Sequence, residues 1–328
     1  IKDDIFIKYF FFLLCLKSIM NDDFQKWFES IMYRPIDPFL MKHFKDMNNE
    51  VRKNKIINFS EEARNGMKLF RNKKVIITGL IYNSESQIKY ITEWFNILKT
   101  LCLECHIVIV ENNSKDNTRK ICELWKNSDP EHVHLVCNSL QCDGDWQVIN
   151  DKSPFSNRIK KMAFLRNKYV EYISKHFKDM DYVFVTDFDL KGTLFWDGIF
   201  HSIFQFYSNP SINVIACNGI VAGSLLYYDS FAYAKDKSEL RWNSTFDKQN
   251  HDQDVLQNIS QHYQNSLEMD KVMSAFGGFC IYKFVDFIDK YYGYEEKRFA
   301  CEHCIYHEQY ENVQLNPKMI FIIEENLT

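Results

Sequence analysis

The feature that most constrains this chain is a change of pattern at Lys74. From there, short runs of β-branched and apolar residues alternate with amphipathic stretches of helical length: VIITGL (75–80), HIVIV (106–110), HLVC (134–137), YVFVTD (182–187), NVIAC (213–217), FCIY (279–282) and IFII (320–323). Unbroken apolar runs separated by helices indicate strands buried on both faces of a mainly parallel sheet. Ile88, Ile91, Phe95 and Leu98 repeat at helical spacing between the first two runs, and the order β-α-β-α-β recurs. The expected fold class is α/β, a Rossmann-like sheet flanked by helices over residues 73–328. Sheets of this kind bind ligands beyond the carboxyl ends of their strands, so chemistry is sought just after each run.

Residues 1–72 read as an N-terminal extension, helical or irregular, Lys- and Asn-rich and broken by Pro35 and Pro38. Within it, residues 5–16 (IFIKYFFFLLCL) are strongly apolar but number 12 with Lys8 inside, against the roughly 20 needed to span a bilayer. Their flanks suit a signal segment poorly. The favoured readings are that residues 1–19 precede a natural start at Met20, or that they form a buried helix. Weak membrane association through 5–16 is the remaining reading, which leaves cytoplasmic and secretory-pathway placement both open.

The 328 residues hold 40 Lys and Arg against 44 Asp and Glu, a net charge of −4, and 46% hydrophobic residues. A chain of this size and composition buries a core unaided, and disorder or coiled coil is excluded. No basic block is present, which argues against nucleic acid as a partner. Ten cysteines, most of them inside apolar runs, read as reduced packing residues.

Three strand ends carry candidate chemistry. After VIITGL come Tyr82 and Asn83; after HIVIV come Glu111, Asn112, Asn113, Ser114, Lys115, Asp116, Asn117 and Thr118. A carboxylate at a strand end before a capped helix start suits a nucleoside, with Ser114 as the expected cap of a helix that carries Ile121, Leu124 and Trp125. The alternative is a plain cap and first turn. The fourth run ends Thr186-Asp187-Phe188-Asp189, where period 2 turns both carboxylates to one side and a hard divalent cation would relieve their repulsion. An exposed acidic turn is the bland alternative.

The helix that follows Ser153-Pro154 carries Ile159, Met162, Ala163, Tyr169, Val170, Ile173 and Phe177 on one stripe, with Arg166 among them. A buried guanidinium needs a partner, either a ligand diphosphate or a strand-end carboxylate. Later come Gly277-Gly278, whose missing side chains let backbone approach a ligand, and the cluster Cys301-Glu302-His303-Cys304-Ile305-Tyr306-His307. Cys301, Cys304 and His307 have the spacing of zinc ligands but lack a convincing second pair. The glycine-rich dinucleotide and P-loop signatures are absent.

Taken in order, Tyr82-Asn83, Glu111 with Ser114, Asp116 and Thr118, Arg158 through Asn167 (RIKKMAFLRN), Asp187-Phe-Asp189, Gly277-Gly278 and Cys-Glu-His resemble a metal-dependent nucleotide-sugar glycosyltransferase of the GT-A fold. Together with YYDSFAY (227–233), the RIKKMAFLRN segment looks most like the fungal capsule-associated α-mannosyltransferase family. The resemblance implies a GDP- or UDP-sugar donor, a Mn2+ or Mg2+ cofactor and a glycan or other hydroxyl acceptor. It implies that Tyr82, Asn83, Glu111 and Arg158 contact the nucleotide and that Arg166 meets the diphosphate or its carboxylate neighbours. Asp187 would serve the ribose or the metal as part of the catalytic set, with Asp189 and His307 as metal ligands. Gly277 and Gly278 would line the donor or acceptor, and Asp229 would be an acceptor-side group. Glu302 would be the acceptor's base if the reaction inverts, and an acceptor-binding group if it retains. An inactive GT-A-like binding protein and a sugar nucleotidyltransferase are the rival readings.

Overall fold

The computed structural model describes residues 61–137, 154–237, 256–294 and 300–324, short of single positions at 223, 225, 261, 264, 265 and 267. The chain divides into two units, Ile1–Asn54 and Lys55–Thr328, and every described residue belongs to the second. The apolar stretch 5–16 and the cap at Ser153 lie outside the described residues. Among the described residues, no helix is long and apolar enough to cross a membrane.

In chain order the elements are β1 (Lys74–Ile81), α1 (Ile88–Leu101), β2 (Glu104–Glu111), α2 (Thr118–Ser128), β3 (Val133–Cys137), α3 (Pro154–His176), β4 (Tyr182–Thr186), β5 (Gly192–Leu194), α4 (Trp196–Ser208), β6 (Val214–Val221), β7 (Asp270–Val272), β8 (Phe279–Lys283), α5 (Phe284–Phe287), α6 (Glu302–His307) and β9 (Val313–Ile323). The strands form one sheet in the order β3-β2-β1-β4-β8-β6-β9-β5, with β7 paired to β9. β1 to β4 pair in parallel and β6 and β9 share their direction, while β5, β7 and β8 run against it. The expected α/β architecture is thus present, mostly parallel and flanked by helices.

Each apolar run falls in a strand. β5 and β7 escape sequence reading because three residues carry no periodic signal. β9 begins well before the IFII run and slips register between Asn316 and Ile320, where Pro317 cannot donate to the ladder.

The core follows from the pattern. Every residue of β4 is buried, and Tyr169, Val170 and Ile173 of α3 join Val183 and Val185 in one cluster. Burial of each large side chain is worth about 1.5–3 kcal/mol. On the other face Phe184 meets Phe70 at 6.0 Å and Phe279 at 5.5 Å. Phe70 closes a helical run over 61–70 that buries Ala63 and Met67 and bonds Glu62 Oε2 to His201 Nε2 at 2.8 Å. This run precedes the sheet in sequence yet belongs to its core. Leu124 of α2 is 60% exposed, and the residues α2 buries are Thr118 and Cys122.

At the amino ends of β2 and β3, Glu104 Oε1 bonds His106 Nε2 at 2.9 Å, His106 Nδ1 meets His134 Nε2 at 3.2 Å, and His134 Nδ1 meets the Tyr172 hydroxyl at 3.2 Å. This chain closes only if both imidazoles are neutral or share one proton. His132, paired with Asp129 and stacked on His106, and His176, against Tyr172, crowd it further. Burial, then the His106 charge, lowers the His134 pKa to about 4. The unfolded chain takes up this proton near pH 6.5, so the stability His134 contributes is whole above that pH and is lost as pH falls toward 4. We expect the wild-type urea midpoint to drop over that window by the equivalent of about 2 kcal/mol, and the drop to shrink in His134→Gln. An equal drop in both proteins would exclude His134 as its source.

Candidate active site

The carboxyl end of β4 is shaped by one buried ring. Phe188 is fully buried, its amide donates to the Leu80 carbonyl at 3.1 Å, and it crosses β1 at Gly79, where a Cβ would lie 2.0 Å from the Thr186 carbonyl oxygen. The Thr186 hydroxyl donates to the Gly278 carbonyl at 2.8 Å. β4 ends at Thr186, and Asp187-Phe188-Asp189 forms a turn in which the Leu190 amide donates to the Asp187 carbonyl at 3.3 Å, so the strand alternation expected to turn both carboxylates to one side does not extend to them. Asp189 is exposed at the rim, whereas Asp187 is largely covered.

Arg166 supplies the covering group. Its side chain is 2% exposed, its Nη2 donates to Asp187 Oδ1 at 3.0 Å, and its Nε donates to Glu302 Oε1 at 2.9 Å. The guanidinium also sits 5.5 Å from the Phe276 ring and 5.8 Å from the Tyr292 ring. The sequence reading allowed Arg166 a strand-end carboxylate as partner; it has that one and Glu302 as well. Asp187 and Glu302 outweigh the burial that opposes its charge, and the Arg166 pKa lies above its ordinary value.

Asp189 and Asp229 lie in the same field. Crowding by protein, with the Asp187 charge, pushes the Asp189 carboxyl up to about 6, while Arg166 and Arg158 pull the other way. Arg158 is exposed on the first turns of α3, close enough to be felt. Asp229, half-buried, is pushed up to about 7 by its surroundings and by the charges of Asp187 and Glu302. Four carboxylates and two arginines therefore act on one another at the carboxyl side of the sheet.

The ends of β1 and β2 form a second group, bonded loop to loop. The Asn83 amide donates to the Ser114 hydroxyl at 3.1 Å, the Lys115 amide to Asn83 Oδ1 at 2.7 Å, and the Ser84 amide to Thr118 Oγ1 at 2.7 Å. Asn83 and Asn113 turn these loops at φ 48° and 55°. Ser114 is therefore not the cap of α2. Asp116 accepts the Thr118 amide and Glu85 the Asn117 amide, so the chain's own carboxylates fill that helix start. Glu111 is fully buried; Oε1 accepts the Ser114 amide at 2.7 Å, while Oε2 makes no hydrogen bond and lies 3.8 Å from Arg119 Nε. Asn112 Oδ1 is likewise buried without a donor among the described residues. Tyr82 is 49% exposed beside them. Asn112 was not singled out from the sequence, although its place after Glu111 was a signal.

Several expected roles do not survive the geometry. His307 is fully buried, with Nδ1 bonded to the Ser274 hydroxyl at 2.9 Å and Nε2 to the Tyr282 hydroxyl at 2.7 Å, so it has no lone pair for a cation. Glu302 spends Oε1 on Arg166 and Oε2 on the Cys301 thiol at 3.4 Å, so it does not stand free as a base. Gly277 and Gly278 have φ 61° and 89°; a Cβ on Gly277 would lie 2.4 Å from the Cys217 carbonyl oxygen, and one on Gly278 would press on Ile323, Leu190 and Phe321. Both glycines are required by packing against the chain itself. Among the described residues, no three His, Cys, Asp or Glu side chains converge as a metal cluster, which removes the zinc reading of Cys301, Cys304 and His307. Asp187 and Asp189 remain as a pair of hard oxygen donors whose mutual repulsion a divalent cation would relieve, a set that fits Mn2+ or Mg2+ completed by phosphate and water.

No family model and no curated protein matches the chain. Among solved structures, TarS 1–349 of S. aureus is 18% identical with a TM-score of 0.40, over 76% of this chain and 60% of that one. The mannosyltransferase PcManGT of Pyrobaculum calidifontis, in complex with GDP-Man and Mn2+, is 11% identical with a TM-score of 0.43, over 84% of this chain and 68% of that one. Glucosyl-3-phosphoglycerate synthase of Mycobacterium tuberculosis, in complex with Mn2+, UDP and phosphoglyceric acid, is 10% identical with a TM-score of 0.35, over 68% and 60%. This chain spans less than two thirds of the TarS fragment. At these scores and identities the likeness assigns neither family nor substrate, and the resemblance to the fungal capsule family rests on its motifs.

Proposed function

We propose that this protein is a divalent-cation-dependent glycosyltransferase that moves a sugar from a GDP- or UDP-sugar to a hydroxyl acceptor such as a glycan. The observation that carries the reading is the buried Arg166 bridge between Asp187, just beyond β4, and Glu302, with Asp189 and Asp229 close enough to feel their charges. So costly a concentration of acids has a use where a cation and a phosphorylated ligand complete it.

The strand order supports a division of labour. β2, β1 and β4 are neighbours, so their ends set Glu111, Tyr82 and Asp187 in a row spanning two strand steps, about 10 Å. Glu111 Oε2 and Asn112 Oδ1 are buried acceptors suited to the N–H or O–H groups of a nucleoside, with Tyr82 exposed for stacking. Asp187 and Asp189 would hold the cation, which when bound screens the charge that builds on a departing diphosphate. Arg166 holds the Asp187 carboxylate in place.

The test is thermal unfolding of the full chain with UDP, GDP, CMP and their sugars, each with Mn2+ or with chelator. A ligand at 100 times its Kd stabilises the folded state by about 2.7 kcal/mol. We expect UDP or GDP compounds to raise Tm by several degrees in Mn2+ and by little in chelator. No response to any nucleotide would overturn the reading.

A further inference from the structure

The four carboxylates around Arg166 are bonded differently, and the difference sorts them. Glu302, 7% exposed, has both oxygens engaged, by Arg166 Nε and the Cys301 thiol. Asp187 gives one oxygen to Arg166 Nη2, and Asp189 follows two residues on, exposed in the turn after β4. The Asp229 carboxylate is met by the Ala232 backbone amide and makes no side-chain cap bond to its turn.

Asp229 also arrives from elsewhere in the sheet. Ile220 of β6 bridges Tyr227, and the Tyr228 amide donates to the Gly219 carbonyl, which carries the chain from β6 back to Asp229. β6 is separated from β4 by β8, whereas the nucleotide-side strands β1 and β2 lie on the other flank of β4. Asp229 thus approaches Arg166 from the flank opposite Glu111 and Tyr82. Its backbone is held left-handed, φ 61° and ψ 51°, at the head of the turn Ser230–Ala232, and the Ala232 amide bonds its carbonyl at 3.1 Å. A non-glycine residue there is uncommon, and outliers of this kind gather at functional sites.

We propose that Asp229 is the general base that removes the acceptor's proton in an inverting transfer, and that Glu302 is a positioning residue that holds Arg166. The inference rests on the glycosyltransferase reading. In the step, the acceptor oxygen bonds to the anomeric carbon, and the bond from that carbon to the diphosphate oxygen breaks with its electron pair leaving on the nucleoside diphosphate. The hydroxyl proton passes to an Asp229 carboxylate oxygen. Inversion requires the nucleophile and leaving group on opposite faces of the sugar.

The experiment uses whichever of UDP-N-acetylglucosamine, UDP-glucose and GDP-mannose stabilises the full chain most, with octyl glycosides or water as acceptor. Asp229→Asn preserves size, and asparagine tolerates left-handed backbone well. Release of nucleoside diphosphate should fall about 100-fold or more in this variant with donor affinity within threefold, the effect of a lost general base. Asp229→Gly should recover at least tenfold on addition of formate. Glu302→Gln should lose thermal stability and donor affinity together, the mark of a positioning role, and gain nothing from formate. Proton NMR of the product should show an inverted anomeric centre. Wild-type turnover in Asp229→Asn, or a retained configuration, overturns the proposal while leaving the transferase intact. A wild-type chain that binds and turns over none of these donors overturns the transferase reading itself.

Discussion

Replacing Asp189 by alanine is expected to abolish metal-dependent turnover of nucleotide sugar, by at least about a thousandfold, while leaving the fold unchanged. The side chain is exposed, makes no ion pair among the described residues, and stands against the charge of Asp187, so its removal costs the native state little. Without it, one carboxylate already shared with Arg166 remains to hold a cation that needs oxygen ligands. The check is nucleoside diphosphate release at saturating Mn2+, together with the Tm of both proteins. A variant with wild-type turnover removes Asp189 from the site; one with a collapsed Tm makes it structural.

Arg166→Met is expected to do the reverse and to damage the fold first. Arg166 neutralises two carboxylates that are themselves mostly buried, and removal of one partner of such a set costs about 3–5 kcal/mol. For a unit of this size that is on the order of a 10 °C fall in Tm. Arg166→Lys should recover only part of it, because one ammonium cannot reproduce the planar fork that reaches Asp187 and Glu302 at once. Thermal unfolding of the three proteins decides the matter, and equal Tm values would mean that the buried pair contributes nothing.

The fold was legible because buried strands write themselves as β-branched runs, and β1 to β4 each fall on one. The site was legible in part. Arg166 on an apolar stripe demanded an anionic partner, a ligand diphosphate or a strand-end carboxylate, and Asp187 is the strand-end carboxylate it meets. That Glu302, 136 residues further on, completes the set depends on how α6 packs against α3, which no local pattern encodes. His307 misled for a related reason. A histidine's chemistry depends on what its two nitrogens touch, and Ser274 and Tyr282 come from the distant segment around β8. Gly277 and Gly278 announced a special backbone but not its surroundings, which are the close approach of β6 at Gly277 and of Leu190 and β9 side chains at Gly278. At the start of α2, Ser114, Asp116 and Asn117 are all chemically fit to cap, and the loop after β1 decides among them.

The three-way lock at Arg166 bears on the order in which the chain can assemble its buried charges. Its members are separated by 21 and 136 residues, and closing so long a loop is slow and unrewarded until both ends are in place. A nascent or clipped chain that ends before Glu302 holds the guanidinium with a single carboxylate and leaves it in water. The second carboxylate of the set thus arrives only with α6, near the end of the described chain.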